Sequence, residues 1–248
     1  MPCMVYSYSR LSLYMTCPFR FYLRYIEKWE EPITAPLALG KAVHKAIESF
    51  LKGRDKETAL MDGIVEADFY PFDKAEYKEL VGKAPCIQGE GLSQNVTIEQ
   101  YFKLRLSDDP SSPYLQGYID LVRENFGMYS FVDWKTNRKK YDSTANMQLP
   151  LYAWALATIH KLDSVQGTLF FLRYFKNAAV SKVFTVDEMD EARKWALSLA
   201  EEIEQKLFLL EVGAGKAGDI FPATPSSHCR YCPFAYDCLK IHTSLGVS

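Results

Sequence analysis

The chain has 248 residues, of which 48% are hydrophobic and 24% charged, and its formal net charge is −2. This composition excludes a disordered or fibrous protein, and the length suffices for one large domain or two small ones. By bulk charge the chain is not a polyanion-binding protein, although a local basic groove can still bind nucleic acid. No run of about 18 apolar residues predicts a membrane span, and no secretory signal is evident, so we expect a cytoplasmic protein that does not bind membranes.

Apolar residues recur at helical spacing in the first third of the sequence. We expect helices over 9–29, 39–51 and 56–69, with Ser9 as the N-cap of the first helix. Pro18 falls inside the first of these segments and predicts a break or kink there, because proline lacks a backbone N–H.

The middle of the chain alternates apolar and polar residues with a period of two, which predicts strands. The expected order is three strands over 96–106, 114–125 and 128–136, a helix over 147–160, two strands over 165–175 and 179–186, and a long helix over 187–212. Asp187 is the expected N-cap of the long helix. This order predicts an α/β or α+β domain with one central sheet.

Two acidic residues and a lysine lie on neighbouring predicted strands. Asp120 ends the sequence GYID, and Asp133 and Lys135 stand in DWK on the next strand, where residues two apart share a face. A short turn joins the strands, so the two carboxylates can be neighbours. A Mg²⁺ or Mn²⁺ ion would relieve their repulsion, because these ions prefer oxygen ligands. An ion pair on a solvated sheet face is the other interpretation.

The chain contains six cysteines, and three of them fall within the ten residues CRYCPFAYDC. The six are Cys3, Cys17, Cys86, Cys229, Cys232 and Cys238. In a reducing cytosol, clustered cysteines more often bind metal or do redox chemistry than form structural disulfides. The residues alone leave open a disulfide clamp, a zinc site and an iron–sulfur cluster.

The Asp120, Asp133 and Lys135 set resembles the signature of the PD-(D/E)XK nuclease superfamily. His44, in LGKAVHKAIESF, is similar to the extra metal ligand of the RecB/AddB-like branch. The helix QLPLYAW is similar to the QxxxY helix of that branch, through the residues Gln148 and Tyr152. The resemblance runs from Ser9 to Cys238 and is closest to the CRISPR-associated RecB-like exonucleases. GYID lacks a preceding proline, which is usual in this branch.

The resemblance implies a restriction-endonuclease-like core, in which helices flank a central mixed sheet, within a single nuclease domain. A helical part over 1–95 would precede a catalytic core over 96–212, and a linker and iron–sulfur segment would occupy 213–248. His44, Asp120, Asp133 and the backbone carbonyl of Trp134 would bind Mg²⁺ or Mn²⁺. Lys135 would position the attacking water.

The resemblance also assigns the cysteines to a [4Fe–4S] cluster with a structural role. Cys17 would be the separated ligand, joined by Cys229, Cys232 and Cys238, since thiolates suit such clusters. Zinc in the same four thiolates is the alternative occupant. Cys3 and Cys86 have no role in the family and are interpreted as structural.

The expected activity is exonuclease cleavage of single-stranded DNA or DNA ends. Gln148 and Tyr152 would contact DNA near the active site, and Tyr22, Trp134 and Tyr152 could stack on bases. The expected basic DNA contacts are Arg138, Lys139 and Lys140 beside the metal, and Arg20 and Arg24 near the cluster.

Several biological settings agree with this interpretation. They are CRISPR adaptation beside an integrase, phage recombination, and DNA repair. The sequence holds no helicase motif, so any helicase subunit would be another chain. A non-catalytic DNA-end-binding or partner-binding iron–sulfur module is the alternative from a different class, and a redox-sensing iron–sulfur protein is a third.

Overall fold

A computed structural model describes residues 5–87, 95–143 and 146–244. The chain forms two compact units. One consists of Met1–Pro32, Leu104–Gln116 and Lys194–Ser248, and the other of Ile33–Lys103 and Gly117–Arg193. No helix in the described ranges combines the length and the apolar character that a membrane span requires.

The helices and strands follow one another in an order close to the predicted one. They are β1 (Val5–Tyr6), α1 (Tyr8–Thr16), α2 (Pro18–Phe21), a π-helical turn (Tyr22–Ile26), α3 (Ala35–Leu51), α4 (Lys56–Glu66), α5 (Lys74–Gly82), β2 (Asn95–Arg105), β3 (Tyr114–Asn125), β4 (Met128–Lys135), α6 (Gln148–His160), β5 (Ser164–Phe171), β6 (Ala179–Thr185), α7 (Val186–Glu211), α8 (Ala217–Ile220), a 3₁₀ segment (Ser227–Tyr231) and α9 (Ala235–Ser244).

The first predicted helix is divided, as Pro18 suggests. Cys17 has an extended backbone with φ −163°, which ends α1, and Pro18 begins α2. A residue before proline is driven out of the helical region, and proline itself suits a first helical turn. The expected cap at Ser9 is wrong, because Ser7 precedes α1 and its hydroxyl accepts a hydrogen bond from the backbone N–H of Arg10.

The long helix α7 begins with a reciprocal cap at Thr185, so the predicted cap at Asp187 is wrong. The backbone N–H of Thr185 donates to the Glu188 carboxylate over 3.1 Å, and the backbone N–H of Glu188 donates to the Thr185 hydroxyl over 3.5 Å. This exchange is a capping box. Asp187 instead lies in the first turn, where its charge favours the helix dipole.

The second unit is built on a mixed sheet. β3 pairs antiparallel with β4, β4 pairs parallel with β5, and β5 pairs antiparallel with β6, while β2 pairs with β3. Val43 and Ile47 of α3 share an apolar core with Leu121 and Trp134 of the sheet. α6 is apolar nearly all round and packs on β5. This mixed sheet with flanking helices confirms the predicted fold class.

Helices α3 and α4 approach each other closely at Gly63. A Cβ at this position would overlap the carbonyl oxygen of Ala42 and the hydroxyl of Tyr77, which donates to the Leu60 carbonyl over 2.8 Å. We expect Gly63→Ala to lower the free energy of unfolding by about 2 kcal/mol, because backbone must move to make room.

The matched control for this change is Gly82→Ala in α5, where an added Cβ meets nothing within 4 Å. Alanine there should raise the free energy of unfolding by about 0.5–1 kcal/mol through helix propensity. Urea unfolding of both variants checks the pair. Equal stability of the two variants would contradict the close approach of α3 and α4.

Candidate active site

The register of β3 and β4 brings the two predicted acidic residues together. Leu121 pairs with Val132, so continuing the register by one residue sets Asp120 opposite Asp133, where the ladder ends. The backbone N–H of Trp134 donates to Asp120 Oδ2 over 2.7 Å and so fixes this carboxylate. The two carboxylates lie at one end of the strand pair because a two-residue turn sets its register.

Asp133 is a buried carboxylate held between an amide and an ammonium group. Its side chain is almost fully buried, with Asp133 4% exposed, and Gln148 Nε2 donates to Oδ1 over 2.9 Å. Lys135 Nζ lies 2.6 Å from Oδ2 and forms an ion pair with it. Burial raises the pKa of Asp133, Lys135 opposes that rise, and Asp120 adds to it. A cation would stabilise the charged form.

Gln148, at the start of α6, joins the lysine to the carboxylate. Lys135 Nζ donates to Gln148 Oε1 over 2.8 Å, while the amide nitrogen of the same side chain donates to Asp133. One planar amide therefore holds an ammonium and a carboxylate at a fixed spacing. Burial lowers the pKa of Lys135, but the charge and hydrogen bond of Asp133, with Tyr141 and Asp120, together outweigh this effect and the net shift is upward.

His44 extends from α3 toward the first carboxylate. Its Nδ1 atom lies 3.3 Å from Asp120 Oδ1. Burial lowers the pKa of His44, yet Asp120 raises it more, and the result is about 9. In the absence of a metal ion the imidazole is therefore a protonated partner of Asp120, and a neutral imidazole would be a nitrogen ligand for a cation.

Glu99 of β2 is a further acidic side chain at the site, and it was not predicted. It lines one cleft of about 870 Å³ together with His44 and Asp120. Its backbone has φ +53°, which is uncommon for a residue with a side chain. Burial, followed by the charges of Asp120 and Glu48, raises the pKa of Glu99 to about 7.

The glycine of GYID makes room for aromatic rings beside the carboxylates. A Cβ on Gly117 would lie 2.9 Å from the Phe102 ring and 3.3 Å from the Tyr152 ring. Those two rings meet edge to face, with centroids 5.7 Å apart, and the Tyr152 hydroxyl lies 3.4 Å from Gln148 Nε2. Tyr152 is thereby held next to Gln148, and its burial raises the pKa of its hydroxyl.

The donor atoms gathered here fit a hard divalent cation. His44 Nδ1 lies 3.3 Å from Asp120 Oδ1, and Asp133 adds a second carboxylate on the neighbouring strand. Within the described part of the chain, no group of three or more His, Cys, Asp or Glu side chains is already arranged to hold a metal ion. Mg²⁺ does not require such a group, because it binds through one or two carboxylates and keeps several waters.

Four of the cysteines border one cavity of the other unit, although their side chains are not arranged as a metal-ligand cluster in the described part of the chain. Cys17, Cys229, Cys232 and Cys238 line one cavity of about 250 Å³, and all four are free thiols. Burial raises the pKa of the Cys232 and Cys238 thiols, and neighbouring cysteines raise both further. The apolar wall of the cavity is formed by Phe19, Leu23 and Phe234. Cys86 is a buried cysteine of the second unit, and Cys3 lies outside the described residues.

The predicted basic contacts divide between the two units. Arg20 and Arg24 both pair with Glu31, over 2.9 and 2.6 Å, and Arg20 also lines the cysteine cavity. Arg138 and Lys139 are exposed near the end of β4 in the second unit. Lys140 lies there too, with its ammonium 4.5 Å from the centroid of the Tyr174 ring.

The structure contradicts one predicted stacking residue. Trp134 is only 2% exposed, because its indole packs edge to face on Phe170 inside the core. A base cannot reach this ring. The backbone of Trp134 nevertheless adjoins the site, through its N–H bond to Asp120.

Gln148→Ala should lower kcat by about 10- to 100-fold with little change in KM. The amide positions Lys135 through one hydrogen bond to a charged group, and such a bond contributes about 1.5–3 kcal/mol, which corresponds to about 10- to 100-fold in rate. Gln166→Ala, which removes an exposed amide from β5, is the matched control. Steady-state cleavage kinetics of the two variants provide the check, and an unchanged kcat for Gln148→Ala would show that the amide does not position the lysine.

One family model matches the chain, and two solved structures can be compared with it. The family model of the PD-(D/E)XK nuclease superfamily matches residues 5–238. The crystal structure of SSO0001 is 13% identical, with 94% of this chain and 85% of that one covered and a TM-score of 0.45. Protein VC1899 from Vibrio cholerae is 11% identical, with 77% and 57% covered and a TM-score of 0.28. None of the curated proteins compared with the chain matches it.

Proposed function

Because this chain belongs to the PD-(D/E)XK nuclease superfamily, we propose that it is a metal-dependent DNA exonuclease of the RecB-like type. The observation that carries the proposal is the pair of the buried Asp133 and the half-buried Asp120 beside a lysine that one amide holds in place. A solvated ion pair on a sheet face has no need of such burial, because exposed pairs contribute little stability.

Asp120, Asp133 and His44, with the backbone carbonyl of Trp134, would hold Mg²⁺ or Mn²⁺. When bound, the ion supplies Lewis-acid polarisation of the phosphate and lowers the pKa of a water. Relief of the repulsion between two carboxylates, one of which is buried, supports this assignment.

Lys135 acts as the cationic side chain of the reaction. Its ammonium can orient the attacking water and offset the negative charge that develops on the phosphate. The water oxygen forms a bond to phosphorus in line with the bond that breaks, and it loses its proton. The 3′-oxygen departs and gains a proton, which leaves a 5′-phosphate and a 3′-hydroxyl.

The four cysteines that share a cavity would bind a [4Fe–4S] cluster. Four thiolates complete the ligand set of such a cluster, and the apolar wall suits a buried cofactor. The cluster would join Cys17 to the C-terminal segment of the same unit and has no part in the cleavage step. Zinc is the other occupant that four thiolates accept.

The order of the motifs agrees with a CRISPR-associated role, in which DNA ends are trimmed beside an integrase, but does not separate it from phage recombination or repair. His44, the carboxylates, the QxxxY pair and the cysteines occur in the order of the CRISPR-associated RecB-like exonucleases. Phage recombination and repair, with a helicase on another chain, use the same chemistry on DNA ends. Deletion of the gene beside a CRISPR array, with spacer acquisition as the measurement, distinguishes these settings.

Linear and circular single-stranded DNA distinguish exonuclease activity from nuclease activity in general. The intact, iron-loaded protein with Mg²⁺ or Mn²⁺ should degrade the linear strand and leave the circle, and a chelator should stop the reaction. Equal degradation of the circle would contradict the exonuclease and keep the nuclease. Binding of DNA ends without degradation of either substrate would favour the non-catalytic binding module.

A further inference from the structure

Two exposed aromatic rings stand beside the candidate active site. Tyr118 of β3 is 57% exposed and Tyr101 of β2 is 47% exposed, and their ring centroids are 5.1 Å apart with a tilt of 46°. Tyr118 and Asp120 are two residues apart on one strand, so they share a face and are spaced by about 6.7 Å along it. An exposed aromatic pair therefore lies close to a carboxylate of the proposed metal site.

The same cleft has a basic wall formed by α3. Lys41, Lys45 and Lys52 line it together with Tyr118 and His44. Lys45 and Lys52 both pair with Glu48. Lys41 is exposed and has no ion-pair partner in the part of the chain that the structure describes.

The charges of the cleft nearly cancel. Its three lysines are opposed by four carboxylates, which are those of Glu48, Glu66, Glu99 and Asp120. Phosphate contacts supply most of the affinity of nucleic-acid binding by charge, so a balanced cleft binds a polyanion weakly by charge alone. Affinity must then come from another part of the nucleotide, and the base is the part that an aromatic ring can bind.

We propose that Tyr118 and Tyr101 form a stacking platform for the bases of single-stranded DNA, with Lys41 as a phosphate contact on the opposite wall of the cleft. A single strand can turn its bases onto the rings, whereas the bases of a duplex are already paired and stacked. The platform thus selects single strands one or two nucleotides from the cleaved phosphate. The inference rests on the proposed nuclease function and adds the residues that would select single strands.

Binding of fluorescent oligothymidine to the full-length, iron-loaded protein tests the platform. Ca²⁺ replaces Mg²⁺ so that the strand is not cleaved, and an abasic strand of equal length and a blunt duplex are measured in parallel. Tyr118→Ala should weaken oligothymidine binding by about 5- to 100-fold, the range for loss of one stacked base, and should leave abasic-strand and duplex binding nearly unchanged.

Matched variants separate stacking from other effects. Tyr118→Phe should keep the wild-type affinity. Phe126→Ala is the matched control, because it removes a ring that is 95% exposed at the turn between β3 and β4 and does not line the cleft. Lys41→Ala should weaken oligothymidine and abasic strands equally and reduce the salt dependence of binding by about one counterion.

The outcomes distinguish this inference from the proposed function. Equal weakening of oligothymidine and abasic binding by Tyr118→Ala would overturn the platform and assign the ring to sheet packing. Wild-type affinity of Tyr118→Ala for oligothymidine, in a protein that still cleaves labelled single strands with Mg²⁺, would overturn the platform alone. A wild-type protein that neither binds nor cleaves these strands would overturn both.

Discussion

Asp133→Asn should reduce metal-dependent cleavage by about 10³-fold or more. The carboxylate is the most buried charged group of the site and would supply a direct oxygen ligand to the ion. The ion contributes several kcal/mol to the transition state, and each 1.36 kcal/mol corresponds to tenfold in rate. An amide oxygen carries no charge, so it cannot replace that ligand.

The same substitution should not lower the free energy of unfolding. Burial raises the pKa of Asp133, so the charged form is less favourable in the folded protein than in the unfolded chain. Asparagine has the same shape without the charge. Urea unfolding therefore serves as the control, and a large loss of stability in Asp133→Asn would contradict the description of this residue as a strained, buried ligand.

Lys135→Gln separates metal binding from chemistry. Removal of a cation that lies 2.6 Å from Asp133 Oδ2 should leave Mn²⁺ affinity unchanged or stronger, while cleavage falls by about 10²-fold or more. Calorimetric Mn²⁺ titration and the cleavage assay give the two readings. Lys140→Gln is the matched control, because its side chain lies over Tyr174 rather than beside the carboxylates.

Cys17→Ser should remove the iron and lower the free energy of unfolding by about 5 kcal/mol. The cluster would close a loop of roughly 200 residues between Cys17 and Cys229, and loop closure of that length contributes about this much in the chain-entropy model. For a chain of this size the melting temperature should fall by roughly 10–20 °C.

The control for this experiment is Cys86→Ser. Cys86 is a buried cysteine of the other unit, so this variant should keep its iron and its visible absorbance. Metal analysis of the wild type distinguishes iron from zinc. Full iron content in Cys17→Ser would show that Cys17 is not a ligand.

Much of the site follows from local sequence. The two-residue turn after Asn125 sets a register that pairs Leu121 with Val132, so Asp120 and Asp133 follow at the same end of the strand pair. The strand alternation likewise sets Asp133 and Lys135 on one face.

Other features depend on packing that sequence patterns do not encode. The bridge through Gln148 exists because α6 begins beside the end of β4. Glu99 occupies a position of β2 at which the strand alternation predicts an exposed side chain, and its positive φ is not evident from the sequence. Trp134 was expected near DNA because it lies within DWK, yet alternation turns its ring into the core.

The most direct test is cleavage of end-labelled single-stranded DNA by anaerobically purified, iron-loaded protein with Mg²⁺ or Mn²⁺, beside Asp133→Asn. The account predicts metal-dependent release of label by the wild type, none without metal, and almost none by Asp133→Asn of equal stability and iron content. Equal cleavage by the wild type and Asp133→Asn, or no cleavage by a folded wild type, would contradict it.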